Sequence, residues 1–569
     1  MLVGSFPASA QQTEEGATGG GDRYFGPSFA MRSATIAPHA MAATSHPLAT
    51  QAALEVMRAG GNAIDAAIAA NALIGFLEPT GNGIGGDLFA IVWSAAEGEL
   101  LGLNASGRAP AGVTRERVRA DLGGDLEIPM TSPHSITVPG TVDGWFELHA
   151  RLGALPMDQI LAPAIRYARD GAPVPQYIAG LWARAPRLAE QPGFADVFLP
   201  DGRAPQEGEM FRNTALANTL ERVASGGPDA FYRGEIAQVI ESWCREVGCY
   251  LTADDMAAHR SEWVRPVGVD FRGYTMWQLP PNGQGIAALQ MLQLLQPYPL
   301  EEMGHNSAPY LHHLIEAKKI AYEDRARYYA DPEFADLPTE ELVSLEYADS
   351  RRPLLNSSRA SREIPAGDPR AGRGGTIYLA VGDEQGNMVS LIQSNYGGFG
   401  SGYTPAGLGF GLQNRGAGFS LDPEHPNTYE PGKRPFHTII PGFVTHDGKP
   451  YMAFGVMGGD VQPQAHVQVF LNHVLFGMDV QQAGDAARFR HADSTEPSAT
   501  HRPMTDGGCV SLEAGVSQDV RDELEALGHR SCPTRWTHFG GYQAVMWDAD
   551  NGVFWGGTES RVDGQAAGY

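Results

Sequence analysis

The chain has 569 residues, 43% of them hydrophobic and 19% charged, and a formal net charge of -25 at pH 7. That length can bury a large core, while the acidity sets the surface against nucleic-acid phosphates and anionic lipid, so neither nucleic acid nor membrane is an expected partner. No apolar run is long enough to span a bilayer, and the 70 glycines follow no fixed period, which excludes collagen-like and linker-like chains.

Residues 1–28, rich in Gly, Ser, Thr and Glu, are expected to form a flexible arm. Ala8-Ser9-Ala10 has the small-residue form of a signal cleavage site. Yet no Lys or Arg precedes Arg23, and the apolar stretch Leu2–Val3 is too short for a signal peptide. The expected location is cytoplasmic, with periplasmic or secreted as the alternative for a chain already trimmed. A helix from about Leu48 to Ala59 closes at Gly60-Gly61, and Asn62 caps a second, Ala-rich helix that runs to about Leu77 before Pro79. Gly81 to Gly86 form a glycine loop, followed by an apolar strand from Leu88 to Trp93. Gly81, Gly83 and Gly86 have dinucleotide-fingerprint spacing. Here, though, the order is helix, glycines, strand, the reverse of what that site needs.

Farther along, a turn at Pro280-Pro281-Asn282-Gly283 launches a buried helix from Ile286 to Leu295, and Leu311 to Tyr329 has helical spacing with charges on one face. His312, His313 and Glu316 share that second helix without an H-E-x-x-H pattern or an evident third ligand. A solvated face is expected there, and neither a metal nor another cofactor is expected. The four cysteines, Cys244, Cys249, Cys509 and Cys532, form no C-x-x-C pair. They are expected to be reduced and buried, a Cys244–Cys249 or Cys509–Cys532 bridge being the alternative. No G-x-S-x-G elbow marks a serine hydrolase.

Asn356 to Gly375 is polar, rich in Pro and Gly and aperiodic, so it is expected to be a linker, mobile or loosely laid on the surface. The pattern then changes. Thr376 to Val381 is a strand, Asp383 to Asn387 a turn, and Met388 to Ser394 a second strand. A turn centred on Gln385 sets Thr376 opposite Ser394, within hydroxyl reach, unless a bulge shifts the register by one. A threonine hydroxyl attacks well when its own α-amine serves as base, which requires cleavage just before it; an α-amine has a pKa of about 7.7–8.0, suited to that task. Gly374-Gly375-Thr376 fits such a cut, although Gly-Gly-Thr before a strand is also common without any chemistry. Elsewhere strand-like pieces and a helix from about Gln464 to Phe476 follow, and blocks of helix and strand favour a layered α/β or α+β fold.

These residues resemble the γ-glutamyltransferase (γ-glutamyl transpeptidase) family of N-terminal-nucleophile hydrolases from about Ala42 to Asp563. The resemblance is carried by Ala43-Thr44-Ser45-His46-Pro47-Leu48-Ala49, Gly60-Gly61-Asn62-Ala63-Ile64-Asp65-Ala66-Ala67, Gly83-Ile84-Gly85-Gly86, Pro139-Gly140, Pro281-Asn282-Gly283 and Glu316-Ala317. Asp383 with Gly386-Asn387, Gly400-Ser401-Gly402, Gly432-Lys433-Arg434-Pro435 and Gly458-Gly459 continue it in the same order. It implies an α+β fold, a four-layer αββα sandwich cut at Gly375–Thr376 into a large fragment, 29–375, and a small catalytic one, 376–569, intertwined in one domain. The linker 356–375 ends the large fragment, and the two fragments stay associated. The resemblance also implies Thr376 as nucleophile, Ser394 as its hydroxyl partner, and Gly458 and Gly459 as the oxyanion pair. The substrate would be a small-molecule amide.

Where such a family binds the α-amine of a γ-glutamyl group, this chain departs from it: Tyr396 replaces an Asn, Arg415 a Gln and Gly418 an Asp. On the carboxylate side a Ser-Ser pair becomes His437-Thr438, and the arginine position reads Ser106, with Arg108 the nearest substitute, or else a surface arginine. A site changed in this way should bind an ammonium poorly and an anion better. The resemblance implies hydrolysis of γ-glutamyl or similar amides, or transfer of the acyl group, through an acyl-enzyme; because the α-amine-binding residues are replaced, a glutaryl-type acylase or oxamate-type amidohydrolase is the alternative, and a non-cleaving scaffold a further one. The stretch from Asp422 to Gly432 is short, which suggests an open site.

Overall fold

The computed structural model describes residues 32–365, 375–494, 497, 504, 506–533 and 538–569, with the backbone alone at Gly375 and Thr376. The expected arm 1–28 and the last part of the expected linker lie outside them.

Two seven-stranded sheets, antiparallel throughout, make the centre. The first runs Gln565–Gly568, Met41–Thr44, Gly375–Gly382, Met388–Tyr396, Asp87–Ser94, Glu99–Ala105, Glu262–Val264. The second runs Thr35–Ala37, Val553–Thr558, Gly541–Asp548, Lys449–Met457, Gly442–His446, Tyr274–Gln278, Val267–Phe271. Helices Pro47–Arg58, Ala63–Leu77 and Met157–Asp170 share one core with the first sheet. Helices Ile286–Leu295, Ala308–Tyr328 and Gln462–Val474 share another with the second. The sheets meet closely: a Cβ on Gly455 would lie 2.5 Å from the Tyr378 ring, and one on Gly382 would lie 2.6 Å from Phe554. Such approaches admit only glycine. The expected four-layer αββα sandwich is the fold found, and the stretches before and after residue 375 contribute strands to both sheets.

Helix Ala63–Leu77 shows why the sequence signals held. Asn62 accepts from the Ile64 and Asp65 amides while Asp65 accepts from the Asn62 amide, a reciprocal cap. Mostly apolar, it is buried nearly all round and packs against both the neighbouring helices and the first sheet. Asp383 in the hairpin turn accepts from the Ala63 amide at 2.7 Å and from the Gln385 and Asn387 amides at 3.0 Å, fastening that turn to the helix start.

Just past the helix, Glu78 is buried, accepting from Ser45 Oγ at 2.7 Å. Burial pushes its carboxyl up to about 7, against the Ser45 bond and helped by the nearby Asp563. The folded state thus keeps a proton that the unfolded chain releases near 4.5, so this stability is complete below about pH 4.5 and lost as pH rises towards 7. Glu78→Gln is expected to flatten the stability profile across that window by up to ~3 kcal/mol, read by urea denaturation at pH 5 and pH 8.

Three expectations are corrected. First, the cysteines are not reduced: Cys244–Cys249 and Cys509–Cys532 are disulfides, with Cα–Cα separations of 4.5 and 4.9 Å. The first closes around Gly248, the left-handed residue that ends helix Glu235–Val247. The second ties strand Cys509–Leu512 to the segment after helix Gln518–Ala526. Reduction should lower stability by about 3 kcal/mol through the longer loop, visible as a fall in melting temperature with dithiothreitol.

Second, Asn356 to Pro365 is docked rather than mobile or loosely laid on the surface. The Ala360 amide donates to Leu527 O, Arg362 O accepts from the Gly507 amide, and Ala360 and Ile364 are buried. Third, the polar face of helix Ala308–Tyr328 is buried rather than solvated, because it is what holds that segment. His312 Nε2 meets Asn356 O at 2.8 Å, His313 Nε2 meets Ser357 Oγ at 3.1 Å, and Glu316 accepts from the Ser361 amide at 3.0 Å. A third potential ligand does exist, His529, whose Nε2 lies 2.8 Å from His312 Nδ1. The Lys319 ammonium, 2.8 Å from Glu316, already supplies the positive charge a metal would bring.

Candidate functional site

The hairpin of Gly375–Gly382 and Met388–Tyr396 places the site. From Ile377↔Gln393 to Gly382↔Met388 the partners follow the register expected from the Asp383–Asn387 turn. Beyond Ile377 it slips: Gly375 pairs with Tyr396, so Thr376 faces a bulge formed by Ser394 and Asn395 instead of standing directly opposite Ser394. The bulge has local causes. The Asn395 amide donates to Gly81 O and its carbonyl accepts from the Asn414 amide, drawing the strand aside. Ser394 Oγ accepts from the Tyr396 amide at 2.8 Å, and Tyr396 takes φ +78°, a costly value for a bulky residue.

Around this bulge lie most of the residues singled out in the sequence, all buried rather than open to solvent: Ser394, Tyr396, Arg415, His437 and Thr438 are each at most 2% exposed. The Arg415 guanidinium stacks on the Tyr396 ring at 4.1 Å and donates from Nη1 to Thr438 Oγ1 at 3.0 Å. Among the described residues its Nε and Nη2 have no partner. Burial pulls its pKa down to about 10, opposed by Tyr396 and Asp87. A buried cation with unused donors is costly unless an anion joins it.

Asp87, which sequence reasoning missed, opens the strand beside the hairpin, in register with Ser394. Its Oδ1 accepts from the Gly107 amide and from Gln413 Nε2, and its Oδ2 lies 2.9 Å from His437 Nε2. A carboxylate can only accept, so His437 carries its proton on Nε2 and leaves Nδ1 as an acceptor with no partner among the described residues. Burial first, then Arg415, lower the His437 pKa to about 4 against the pull of Asp87, which keeps the ring neutral at ordinary pH. Directly after the glycine loop, Asp87 has no sequence signal of its own. Its role depends on a histidine 350 residues away.

Gly458 and Gly459 end the second-sheet strand Lys449–Met457 with φ of +140° and +67°, and a Cβ on Gly458 would lie 2.6 Å from Val461. The turn Gly459–Val461 leads into helix Gln462–Val474, so its amides lie at a helix start, where negative charge is favoured. Arg108, the nearest substitute for the arginine of the carboxylate side, is held among acids. It meets Glu262 and Glu333 at 2.9 Å and Asp331 at 3.6 Å, and donates to Gly432 O. Those acids lie far along the chain, beyond the reach of local pattern. The Gly418 carbonyl is capped by Asn427 Nδ2, and His425 to Tyr429 fold down over it with little exposure, so the short Asp422–Gly432 loop covers this end of the site. No helix among the described residues is long and apolar enough to cross a membrane.

The chain resembles known proteins over nearly its whole length. A family model described as gamma-glutamyltranspeptidase matches residues 49–569. The chain is 37% identical over 546 residues to the glutathione hydrolase-like YwrD proenzyme of Bacillus subtilis, covering 95% of this chain and 100% of that protein. It is 35% identical to the oxamate amidohydrolase proenzyme of Klebsiella pneumoniae, with the same coverage. Among solved structures, a cephalosporin acylase from Bacillus halodurans superposes with a TM-score of 0.88 at 42% identity, covering 96% of this chain and 99% of that one.

Proposed function

The chain belongs to the gamma-glutamyltranspeptidase family of N-terminal-nucleophile hydrolases, and from that premise we propose that it is matured by cleavage before Thr376 and hydrolyses small-molecule amides whose acyl group carries a carboxylate. The observation that carries the choice of acyl group is Arg415, buried with two guanidinium nitrogens unused among the described residues. A carboxylate would fill both in a bidentate pair. Nothing acidic stands at Gly418, and Asp87 is engaged by His437, Gln413 and the Gly107 amide, so an α-ammonium finds no carboxylate to itself. The relatives named as an oxamate amidohydrolase and a cephalosporin acylase act on compounds other than glutathione, in keeping with an altered acyl pocket.

The chemistry follows in two stages. In the first, the Thr376 hydroxyl attacks the Gly375 carbonyl carbon; the peptide C–N bond breaks as the ester forms, which frees the Thr376 α-amine, and water then opens the ester to release the Gly375 carboxylate and the Thr376 hydroxyl. The proenzyme names of the relatives support this stage. In the second, that amine takes the hydroxyl proton while the oxygen attacks the substrate amide. The Gly458 and Gly459 amides face the oxyanion, the leaving amine departs with a proton, and water releases the acid. The two disulfides favour an oxidising compartment over the cytoplasm expected from the sequence.

The test compares glutaryl, γ-glutamyl and butyryl 4-nitroanilides on the cleaved protein. Glutaryl should lead in kcat/KM. A strong preference for γ-glutamyl, or butyryl equal to glutaryl, would overturn the assignment of the acyl group.

A further inference from the structure

Gln284 is fully buried and joins two walls of the site. Its Nε2 donates to Thr438 O at 2.7 Å and to Gly459 O at 2.8 Å, while its Oε1 accepts from Arg325. Both carbonyls can only accept, so the amide has one orientation, and Arg325 fixes it from behind. On one side, the Thr438 hydroxyl holds Arg415. On the other, Gly459 lies in the turn whose two positive φ values leave its backbone little intrinsic preference. Helix Ala308–Tyr328 braces the same turn a second time. Tyr322 donates to Asp460 O, and the Arg325 guanidinium stacks on the Tyr322 ring at 3.8 Å.

We propose that Gln284 is a positioning residue that sets the Gly458–Gly459 turn against the acyl pocket, so that the turn's amides meet the tetrahedral oxyanion rather than the planar substrate. This rests on the assignment of Thr376 and the glycine pair above. Preorganised donors lower the barrier because they need no rearrangement as charge develops. Loosening them costs transition-state binding and leaves ground-state binding alone.

The experiment uses two-fragment protein, with 4-boronobutanoate as a tetrahedral mimic once its boron binds the Thr376 oxygen, and glutarate as a planar one. In Gln284→Leu, kcat should fall about 10- to 100-fold, less than the loss of an oxyanion donor outright. Boronate affinity should fall by the same factor, with KM and glutarate affinity within about twofold. Arg325→Lys, which keeps the charge but not the fork that holds Gln284, should show the same split to a lesser degree, and serves if the first variant does not mature. Unchanged boronate affinity, or a change in KM alone, would overturn the role of Gln284. If the unaltered enzyme binds the boronate no better than glutarate, the Thr376 and glycine-pair assignment fails first, and this inference with it.

Discussion

Thr376→Ala is expected to purify as one chain of 569 residues without amidase activity, whereas the unaltered protein should separate on a denaturing gel into fragments of 375 and 194 residues. Alanine at this position removes the oxygen that attacks Gly375 and the oxygen that later attacks substrate, so both processes stop together, with activity down by at least about four orders of magnitude. Thr376→Ser keeps the oxygen and should retain both at reduced rate. Fold and fragment association should survive in each case, since the stretches on either side of the cut pair within the same sheets: Gly375–Gly382 lies between Met41–Thr44 and Met388–Tyr396. Intact-mass measurement gives the decisive reading. A cut at another bond, or a single-chain Thr376→Ala that still hydrolyses amides, removes the basis for an N-terminal nucleophile.

How much of this could be read in the chain itself depended on the distance between partners. The hairpin register came from the Asp383–Asn387 turn, because a tight turn fixes every pair that follows until something else intervenes. What intervened, at Asn395, was a pair of backbone bonds to Gly81 and Asn414, and no local pattern announces them. Helix Ala63–Leu77 was legible for the same local reason, its cap and its apolar surface. The surroundings of Arg108 and of the helix bearing His312 were illegible through one cause. A polar residue's partners decide whether it is free, and Glu262, Glu333 and Asn356 come from other parts of the chain. The cysteines were judged by their number, which carries no information on whether two of them lie 4.5 Å apart. Arg415 was noticed as a departure from family pattern. That it is buried with donors unused among the described residues follows only from how separate segments pack around it.

Arg415→Met should lower kcat/KM for glutaryl 4-nitroanilide about 10²- to 10³-fold and bring glutaryl and butyryl substrates within a few-fold of each other. The magnitude follows from two charge-assisted hydrogen bonds of about 1.5–3 kcal/mol each, less the cost of holding the free cation in place. The unliganded variant should not be less stable. Methionine is of similar length, and it removes a buried charge at the loss of the Thr438 bond and the Tyr396 stack. Glutarate should raise the melting temperature of the unaltered protein and leave the variant unmoved, because a ligand stabilises in proportion to its affinity for the folded state. His437 supplies an independent check. Its pKa is lowered from 6.5 to about 4, so the unfolded chain takes up a proton below pH 6.5 that the folded one refuses, and stability falls as pH drops through that interval. Since Arg415 is the second cause of that depression, after burial, the acid-side fall should be shallower in Arg415→Met. If the variant keeps its preference for glutaryl over butyryl, the carboxylate is held elsewhere, and the unused guanidinium nitrogens have no part in choosing the substrate.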